Sequence, residues 1–182
     1  LYLMRFSGEE IDKYLEYAYA LQYNTMTSPQ SHLLRFKTDE QGQPVRNTKG
    51  NYILWADYYN YSCAAGIRYT VDVSKVPGER VEIHSFSDGR PFYADSTYTV
   101  AINSYRGNGG GGHLTQGMGL TKAEINNRII KIWDKDVRYY ISEYIKEKKI
   151  LTPQCRHDWK VIPGEWFKKG KATDYPILYE GH

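Results

Sequence analysis

The most distinctive run of the sequence is Asn103-Ser104-Tyr105-Arg106-Gly107-Asn108-Gly109-Gly110-Gly111-Gly112-His113. Residues 97–102 before it alternate in polarity, as in a half-buried β-strand. Four consecutive glycines can adopt positive φ and allow the backbone to approach a ligand closely. The run has no Gly-Lys-Ser/Thr, and no helix is predicted directly after it, so it does not match a phosphate-binding loop. The alternative interpretation is a flexible loop at a strand end.

Length and composition favour one globular domain over residues 1–182. Hydrophobic residues make up 41% of the chain and charged residues 25%, which is ordinary for a domain with a core. The net charge of +3 is too small to indicate a nucleic-acid polymer as partner. No apolar run is long enough for a predicted transmembrane helix. Because the sequence starts at Leu1 in a strand-like run, without a signal peptide, we expect a longer chain whose targeting sequence is missing here.

Hydrophobic periodicity predicts both helices and strands. Capping boxes beginning at Ser7 and Thr121 predict a helix over residues 8–22 and a second helix in which Ile125, Ile129 and Ile132 recur at helical spacing. Acidic residues at positions 134 and 136 predict the start of a third helix. Its predicted buried stripe is Val137, Tyr140, Ile141, Tyr144 and Ile145. Strands are predicted over residues 1–6, 67–73, 80–86, 98–103 and 159–162.

Two segments show little periodicity. Residues 23–50 are mostly polar and contain two prolines. They are predicted to form a long surface excursion with a short apolar patch. Residues 165–182 are predicted to form an irregular tail.

The sequence shows no catalytic constellation and no metal site. The five histidines are scattered, without metal-ligand spacing. Cys63 and Cys155 lack a zinc-type or nucleophile context. A bridge between them is allowed in an oxidising compartment but is not predicted. We therefore expect no cofactor in this chain.

Four motifs together resemble the C-terminal, substrate-binding domain of the 5′-nucleotidase / UDP-sugar hydrolase family. Each is weak alone, but their order and spacing over residues 1–161 are fairly specific. They are Ser7-Gly8-Glu9-Glu10-Ile11, Gly66-Ile67-Arg68-Tyr69-Thr70-Val71-Asp72, Ser87-Asp88-Gly89-Arg90-Pro91 and Tyr98-Thr99-Val100-Ala101-Ile102-Asn103-Ser104-Tyr105. The resemblance implies an α+β fold, with layered mixed β-sheets flanked by helices.

The resemblance also implies a ligand, since the family holds a nucleotide base between two aromatic rings. By position these rings correspond to Tyr61 and Tyr105. Aromatic faces suit this role because any base can stack on them. The other implied substrate-binding residues are Cys63, Asn103, Arg106, Gly110, Gly111 and His113. Arg106 could equally be a solvated loop cation, and the two tyrosines could simply pack on the glycines.

The sequence departs from the family pattern at several points. Gly111 stands where the family has an aspartate, Cys63 where it has an amide, and His113 where it has an aromatic. The family's arginine-bearing segment would precede Leu1. Hydrolysis in the family needs two metal ions held by a separate metallophosphoesterase domain, whose motifs do not occur here.

Two functions follow as hypotheses. The first is a nucleotide or nucleoside recognition module in nucleotide catabolism, working with a metallophosphoesterase partner domain or chain that carries the divalent metals. The second is a degenerate domain that has lost ligand binding and serves as a protein-interaction partner. An independent hydrolase is disfavoured by the missing constellation. The resemblance implies a periplasmic or cell-surface bacterial location.

Overall fold

A computed structural model describes residues 1–179 and shows an α+β fold, with two three-stranded sheets flanked by helices. The fold class implied by the resemblance is therefore confirmed. The elements are β1 (Tyr2–Ser7), α1 (Gly8–Gln22), β2 (Ile67–Asp72), β3 (Val81–Phe86), β4 (Thr97–Ile102), α2 (Ser104–Gly107), α3 (Lys122–Asn127), β5 (Ile129–Ile132), α4 (Val137–Lys148), β6 (Trp159–Ile162) and α5 (Gly164–Tyr179).

The chain divides into two compact units, and the first comprises residues 1–14 and 92–157. Its central strand is β1, which pairs antiparallel with β4 on one edge and β5 on the other. Met4 and Phe6 are buried while Arg5 between them is exposed, as alternation along a strand requires. The core of this unit consists of Met4, Phe6, Leu114, Met118, Leu120 and Ile125.

The second unit comprises residues 15–91 together with the chain from Asp158 onward. Its central strand is β2, which pairs antiparallel with β3 and parallel with β6. The parallel register places Tyr69 opposite Trp159 and Val71 opposite Val161. The buried residues contributed by these strands include Ile67, Tyr69, Val71 and Val161.

Both predicted capping boxes are present. The Ser7 hydroxyl accepts the Glu10 amide at 3.1 Å, and the Glu10 carboxylate accepts the Ser7 amide at 2.8 Å. Thr121 and Glu124 make the same reciprocal pair at the start of α3. Since the first box satisfies amides that an open helix end would leave unpaired, α1 begins where the sequence predicts.

The predicted helix through Ile132 is wrong beyond α3. Residues Ile129–Ile132 form strand β5, which pairs with β1. Short isoleucine runs suit a strand as well as a helix, and here the free edge of β1 decides the outcome.

The prediction of an irregular tail is also wrong for the described part of residues 165–182. Helix α5 spans Gly164–Tyr179, and only residues 180–182 lie outside the described chain. The helix is held by tertiary contacts: the buried Asp174 carboxylate accepts the Leu34 amide at 2.7 Å and lies 2.5 Å from His32 Nδ1. The hydrophobic periodicity of this segment carries no information about such tertiary contacts.

The segment over residues 23–50 is tied by isolated β-bridges, among them Tyr23 with Leu34 and Phe36 with Leu54. Met26, Leu33 and Phe36 are buried, whereas residues 37–50 are exposed apart from half-buried Pro44 and Val45. The apolar patch predicted in this segment is thus part of the second unit's core.

Helix α4 forms where the sequence predicts, but its predicted buried stripe is wrong. Ile141, Tyr144 and Ile145 are 52%, 53% and 43% exposed, and no residue of α4 is buried. Hydrophobic periodicity indicates a helix face but does not supply an element to cover it. Among residues 1–179, no helix combines the length and hydropathy needed to cross a membrane.

Candidate functional site

Residues 103–117, here called the glycine loop, form an ordered series of turns in the first unit. Asn103 follows β4, and its side-chain oxygen accepts the Arg106 amide at 2.8 Å, which caps α2. Gly109, Gly111 and Gly112 then adopt positive φ of 88°, 72° and 79°. These left-handed conformations, which glycine adopts without steric cost, turn the chain back sharply.

The prediction that no helix begins after the glycines is wrong. A single π-helical turn spans His113–Gly117, and the Met118 amide donates to the His113 carbonyl at 3.0 Å. The left-handed Gly112 directs the chain into this turn. The turn places Leu114 in the core of the unit, fully buried.

Tyr105 lies on α2 with its ring against Gly110. A Cβ atom at Gly110 would be 2.6 Å from both Tyr105 Cε2 and the Tyr105 carbonyl oxygen, so any larger residue would displace the ring or the backbone. The Tyr105 side chain is nevertheless 55% exposed. The glycine therefore supports one side of an aromatic ring that remains open to solvent elsewhere.

Arg106 is 4% exposed, so the alternative of a solvated loop cation is wrong. One guanidinium nitrogen donates to the Gly110 carbonyl at 3.2 Å. Its Cζ lies 5.3 Å from the Tyr105 ring centroid, within the range of a cation–π contact. Arg106 thus links the glycine run to the tyrosine that packs on it.

His113 is fully buried and contacts Tyr14, with 4.8 Å between ring centroids. Its Nδ1 lies 3.0 Å from the Gly111 carbonyl. The ring is therefore a packing group that supports the loop. Direct ligand contact by His113 stays a prediction.

Tyr61 lies in the second unit within a group of aromatic side chains, here called the phenol cluster. Tyr61 is 37% exposed, and its ring centroid is 5.9 Å from that of Tyr19 and 6.4 Å from that of Trp159. The Tyr19 and Tyr69 hydroxyls lie 2.8 Å apart. The members of the cluster are Tyr19, Tyr23, Tyr61, Tyr69 and Trp159.

Burial raises the pKa of the phenols in this cluster. Removal from water raises the pKa of Tyr19, Tyr23 and Tyr61, and it raises the pKa of Tyr69 to about 12. These phenols, neutral near pH 7, therefore stay neutral to a higher pH than a solvated tyrosine. Burial also raises the pKa of the Cys63 thiol, which makes it a weak nucleophile at neutral pH.

The eight predicted site residues are divided between the two units. Six lie in the glycine loop of the first unit: Asn103, Tyr105, Arg106, Gly110, Gly111 and His113. Tyr61 and Cys63 lie in the second unit. Cys63 and Cys155 are both free thiols. Within residues 1–179, no group of three or more His, Cys, Asp or Glu side chains is placed to hold a metal ion.

Sequence reasoning missed the residues that surround Tyr61. Tyr19 comes from α1, Tyr69 from β2 and Trp159 from β6. The sequence pattern gives Tyr19 no special role and places Tyr69 only in a strand motif, because both residues fit ordinary helix and strand patterns. The unusual count of 18 tyrosines was the one available signal, but it names no particular residue.

Comparison with known proteins identifies the family of this chain and solved structures that share its fold. The model of the family 5′-nucleotidase, C-terminal domain matches residues 1–117. The trifunctional nucleotide phosphoesterase protein YfkN of Bacillus subtilis is 27% identical over 118 aligned positions, which cover 58% of this chain and 7% of that protein.

Two solved structures share the fold. A protein assigned as a 5′-nucleotidase of Staphylococcus aureus, crystallised with α-ketoglutarate, aligns with TM-score 0.57 and 19% identity over 88% of this chain and 26% of its own. The sulfate thiohydrolase SoxB of Thermus thermophilus, crystallised with glycerol, aligns with TM-score 0.50 and 21% identity over 89% of this chain and 22% of its own. The chain thus spans about a quarter or less of the length of each of these three proteins.

Proposed function

Because this chain belongs to the 5′-nucleotidase C-terminal domain family, we propose that it is the nucleotide-recognition module of a 5′-nucleotidase system. In this proposal Tyr61 and Tyr105 stack on the base of a nucleotide or nucleoside. A metallophosphoesterase domain or partner chain hydrolyses the phosphate ester with its divalent metals. The match to a nucleotide phosphoesterase of Bacillus subtilis supports this substrate class.

The observation that carries the proposal is the half-exposed ring of Tyr105 on a backbone shaped to receive it. Gly110 leaves room for the ring, and the Asn103 side chain caps the short helix that presents it. An aromatic ring that is fixed before binding loses little conformational entropy when a base stacks on it. Tyr61 offers a second partly exposed ring, at 37%.

The remaining predicted residues receive narrower roles. Arg106 and His113 are buried and brace the glycine loop. Cys63 and Gly111 are proposed to approach the polar parts of the ligand, Cys63 as a weak thiol donor and Gly111 through its backbone. We propose that the 5′-nucleotidase system is located outside the cytoplasm, in the periplasm or at the cell surface.

The residue types at positions 111 and 63 favour a second function. Gly111 replaces a carboxylate and Cys63 replaces an amide, so both substitutions remove strong hydrogen-bonding groups from the ligand site. A domain that had lost nucleotide binding would serve instead as a protein-interaction partner of a phosphoesterase. It would form a stable complex with such a chain and bind no nucleotide.

Calorimetric titration of the chain with adenosine, AMP and UDP-glucose separates the two functions. Tyr61→Ala and Tyr105→Ala should each cost about 1–3 kcal/mol of binding free energy, on the order of fivefold to 150-fold in Kd. Tyr93→Ala is a matched control, since Tyr93 is a 56% exposed tyrosine of the same unit as Tyr105. Equal affinities of the parent chain, Tyr61→Ala and Tyr105→Ala would contradict base stacking, and no binding by the parent would favour the second function.

A further inference from the structure

Residues 61–64, here called the anchored segment, are held at both ends by buried tyrosines. At one end the Tyr61 ring contacts those of Tyr19 and Tyr23, with centroids 5.9 Å and 6.5 Å away. At the other end the Ala64 amide donates to the Tyr69 hydroxyl at 3.1 Å. The Tyr19 and Tyr69 hydroxyls are themselves 2.8 Å apart. Tyr19 and Tyr69 thus connect the two ends of the segment through the interior.

The two interior tyrosines are well fixed. Tyr19 is fully buried on α1, and Tyr69 is 1% exposed at the centre of its sheet. The Tyr69 ring is nearly parallel to that of Trp159, with centroids 5.9 Å apart and an angle of 11°. Because these two residues are also opposite each other in the β2–β6 register, the backbone and the ring stack hold the Tyr69 hydroxyl in place.

These interior contacts determine what the anchored segment can offer a ligand. The Ala64 amide is already used internally, and the Tyr61 ring is 37% exposed and offers a stacking surface. Cys63 lies between the two anchor points and is exposed. Its position therefore depends on the same interior contacts.

We infer that Tyr19 and Tyr69 are positioning residues for nucleobase recognition: they fix the anchored segment so that the Tyr61 ring and the Cys63 thiol meet a base in a set orientation. This inference rests on the proposed function. It adds two residues that touch no ligand themselves and act only through Tyr61 and Ala64.

The competing explanation is that the hydroxyl pair merely satisfies two buried phenols. Buried hydroxyls need a partner, and they commonly find one without any effect on a nearby site. On that explanation Tyr19→Phe and Tyr69→Phe would lower overall stability but leave the anchored segment unchanged. The two explanations therefore differ in the local behaviour of Cys63.

Thiol alkylation gives a readout of the segment that needs no ligand. The rates of iodoacetamide labelling at Cys63 and Cys155 are measured in the same molecule by mass spectrometry, with Cys155 of the other unit as internal reference. In Tyr69→Phe, which removes the acceptor for the Ala64 amide, Cys63 should react about threefold to tenfold faster relative to Cys155. Tyr19→Phe should act in the same direction.

Tyr58→Phe is the matched control, because it removes a hydroxyl from a 78% exposed tyrosine of the same unit. Its labelling ratio should equal that of the parent chain. Thermal unfolding of each variant shows that the labelling is measured on folded protein. An unchanged ratio in both Tyr69→Phe and Tyr19→Phe would overturn the inference.

Nucleoside titration then tests the positioning role itself. Tyr69→Phe should weaken binding about threefold to tenfold when Tyr61 is present, and should add no further loss to Tyr61→Ala. A faster Cys63 reaction with unaltered affinity would overturn the role in recognition. If the parent chain binds none of the three ligands, the proposed function fails, whereas the labelling ratio still decides whether the Tyr19 and Tyr69 hydroxyls hold the segment.

Discussion

The glycine loop and the phenol cluster each hold one tyrosine proposed to stack on a base, but they hold it by different means. Tyr105 is placed by backbone: a capped turn, three left-handed glycines and the missing Cβ of Gly110. Tyr61 is placed by side chains, through ring contacts with Tyr19 and Tyr23 and through the Tyr69 hydroxyl, which accepts the Ala64 amide and pairs with the Tyr19 hydroxyl. The first device depends on steric space and the second on neutral hydrogen-bonding groups.

This difference predicts opposite sensitivities. A site built from glycines should tolerate the loss of a hydroxyl but not the gain of a methyl group. A site built from buried phenols should respond to the loss of a hydroxyl and to alkaline pH. A change of pH, an added methyl group and a removed hydroxyl group test these sensitivities.

Alkaline pH should have the largest effect, and it should act through the phenol cluster. Burial raises the pKa of Tyr69 from 10.0 to about 12. The unfolded phenol therefore ionises first, so the stabilisation is complete below pH 10 and is lost as pH rises toward 12. At about 1.4 kcal/mol per pKa unit, the rise from 10.0 to about 12 makes Tyr69 alone account for a loss of about 3 kcal/mol. Urea unfolding at increasing pH, followed together with phenolate absorbance, measures this loss.

Tyr69→Phe is the control for the alkaline loss. Without that phenol, the free energy of unfolding should fall less steeply over the same pH range. A slope equal to that of the parent chain would mean that ionisation of Tyr69 does not cause the alkaline unfolding, and the pH sensitivity assigned to this phenol would be wrong.

Gly110→Ala should have the next largest effect, and it should act on the glycine loop. The new Cβ would lie 2.6 Å from the Tyr105 carbonyl oxygen, a backbone atom that cannot move freely. Overpacking of this kind costs about 1–3 kcal/mol of stability. Gly164→Ala is the control, because it has open space around it and begins a helix. Thermal unfolding should show a lower midpoint for Gly110→Ala alone, and equal midpoints for the two variants would contradict the steric account.

The contrast between local and distant contacts explains which parts of the structure the sequence predicts. The glycine run, both capping boxes and the alternating strands are local signals, so α1, β2, β3 and β4 were predicted close to their observed bounds. Tyr105 was found because it adjoins the glycines in the chain. These features depend on neighbours that the sequence itself displays.

The features that were missed depend on residues far apart in the chain. Tyr19, Tyr69 and Trp159 come into contact only after α1, β2 and β6 have assembled. Each of them fits the ordinary sequence pattern of its own helix or strand. The sequence predicts a helix where strand β5 forms, because the pairing of β5 with β1 likewise joins residues far apart in the chain. The burial of Arg106 could not be predicted either, since loop arginines are usually solvated.

The smallest expected effect is the most specific one, and it compares Tyr69→Phe with Tyr105→Phe. Tyr69→Phe keeps the ring but removes the hydroxyl that accepts the Ala64 amide, so the loss of one net hydrogen bond should weaken nucleoside binding about threefold to tenfold. Tyr105→Phe should leave the affinity unchanged, because the ring is placed by Gly110 and the capped turn rather than by its hydroxyl. Titration of both variants with adenosine measures the difference directly. Equal losses would mean that the Tyr105 hydroxyl contacts the ligand, and the proposed difference between the glycine loop and the phenol cluster would be wrong.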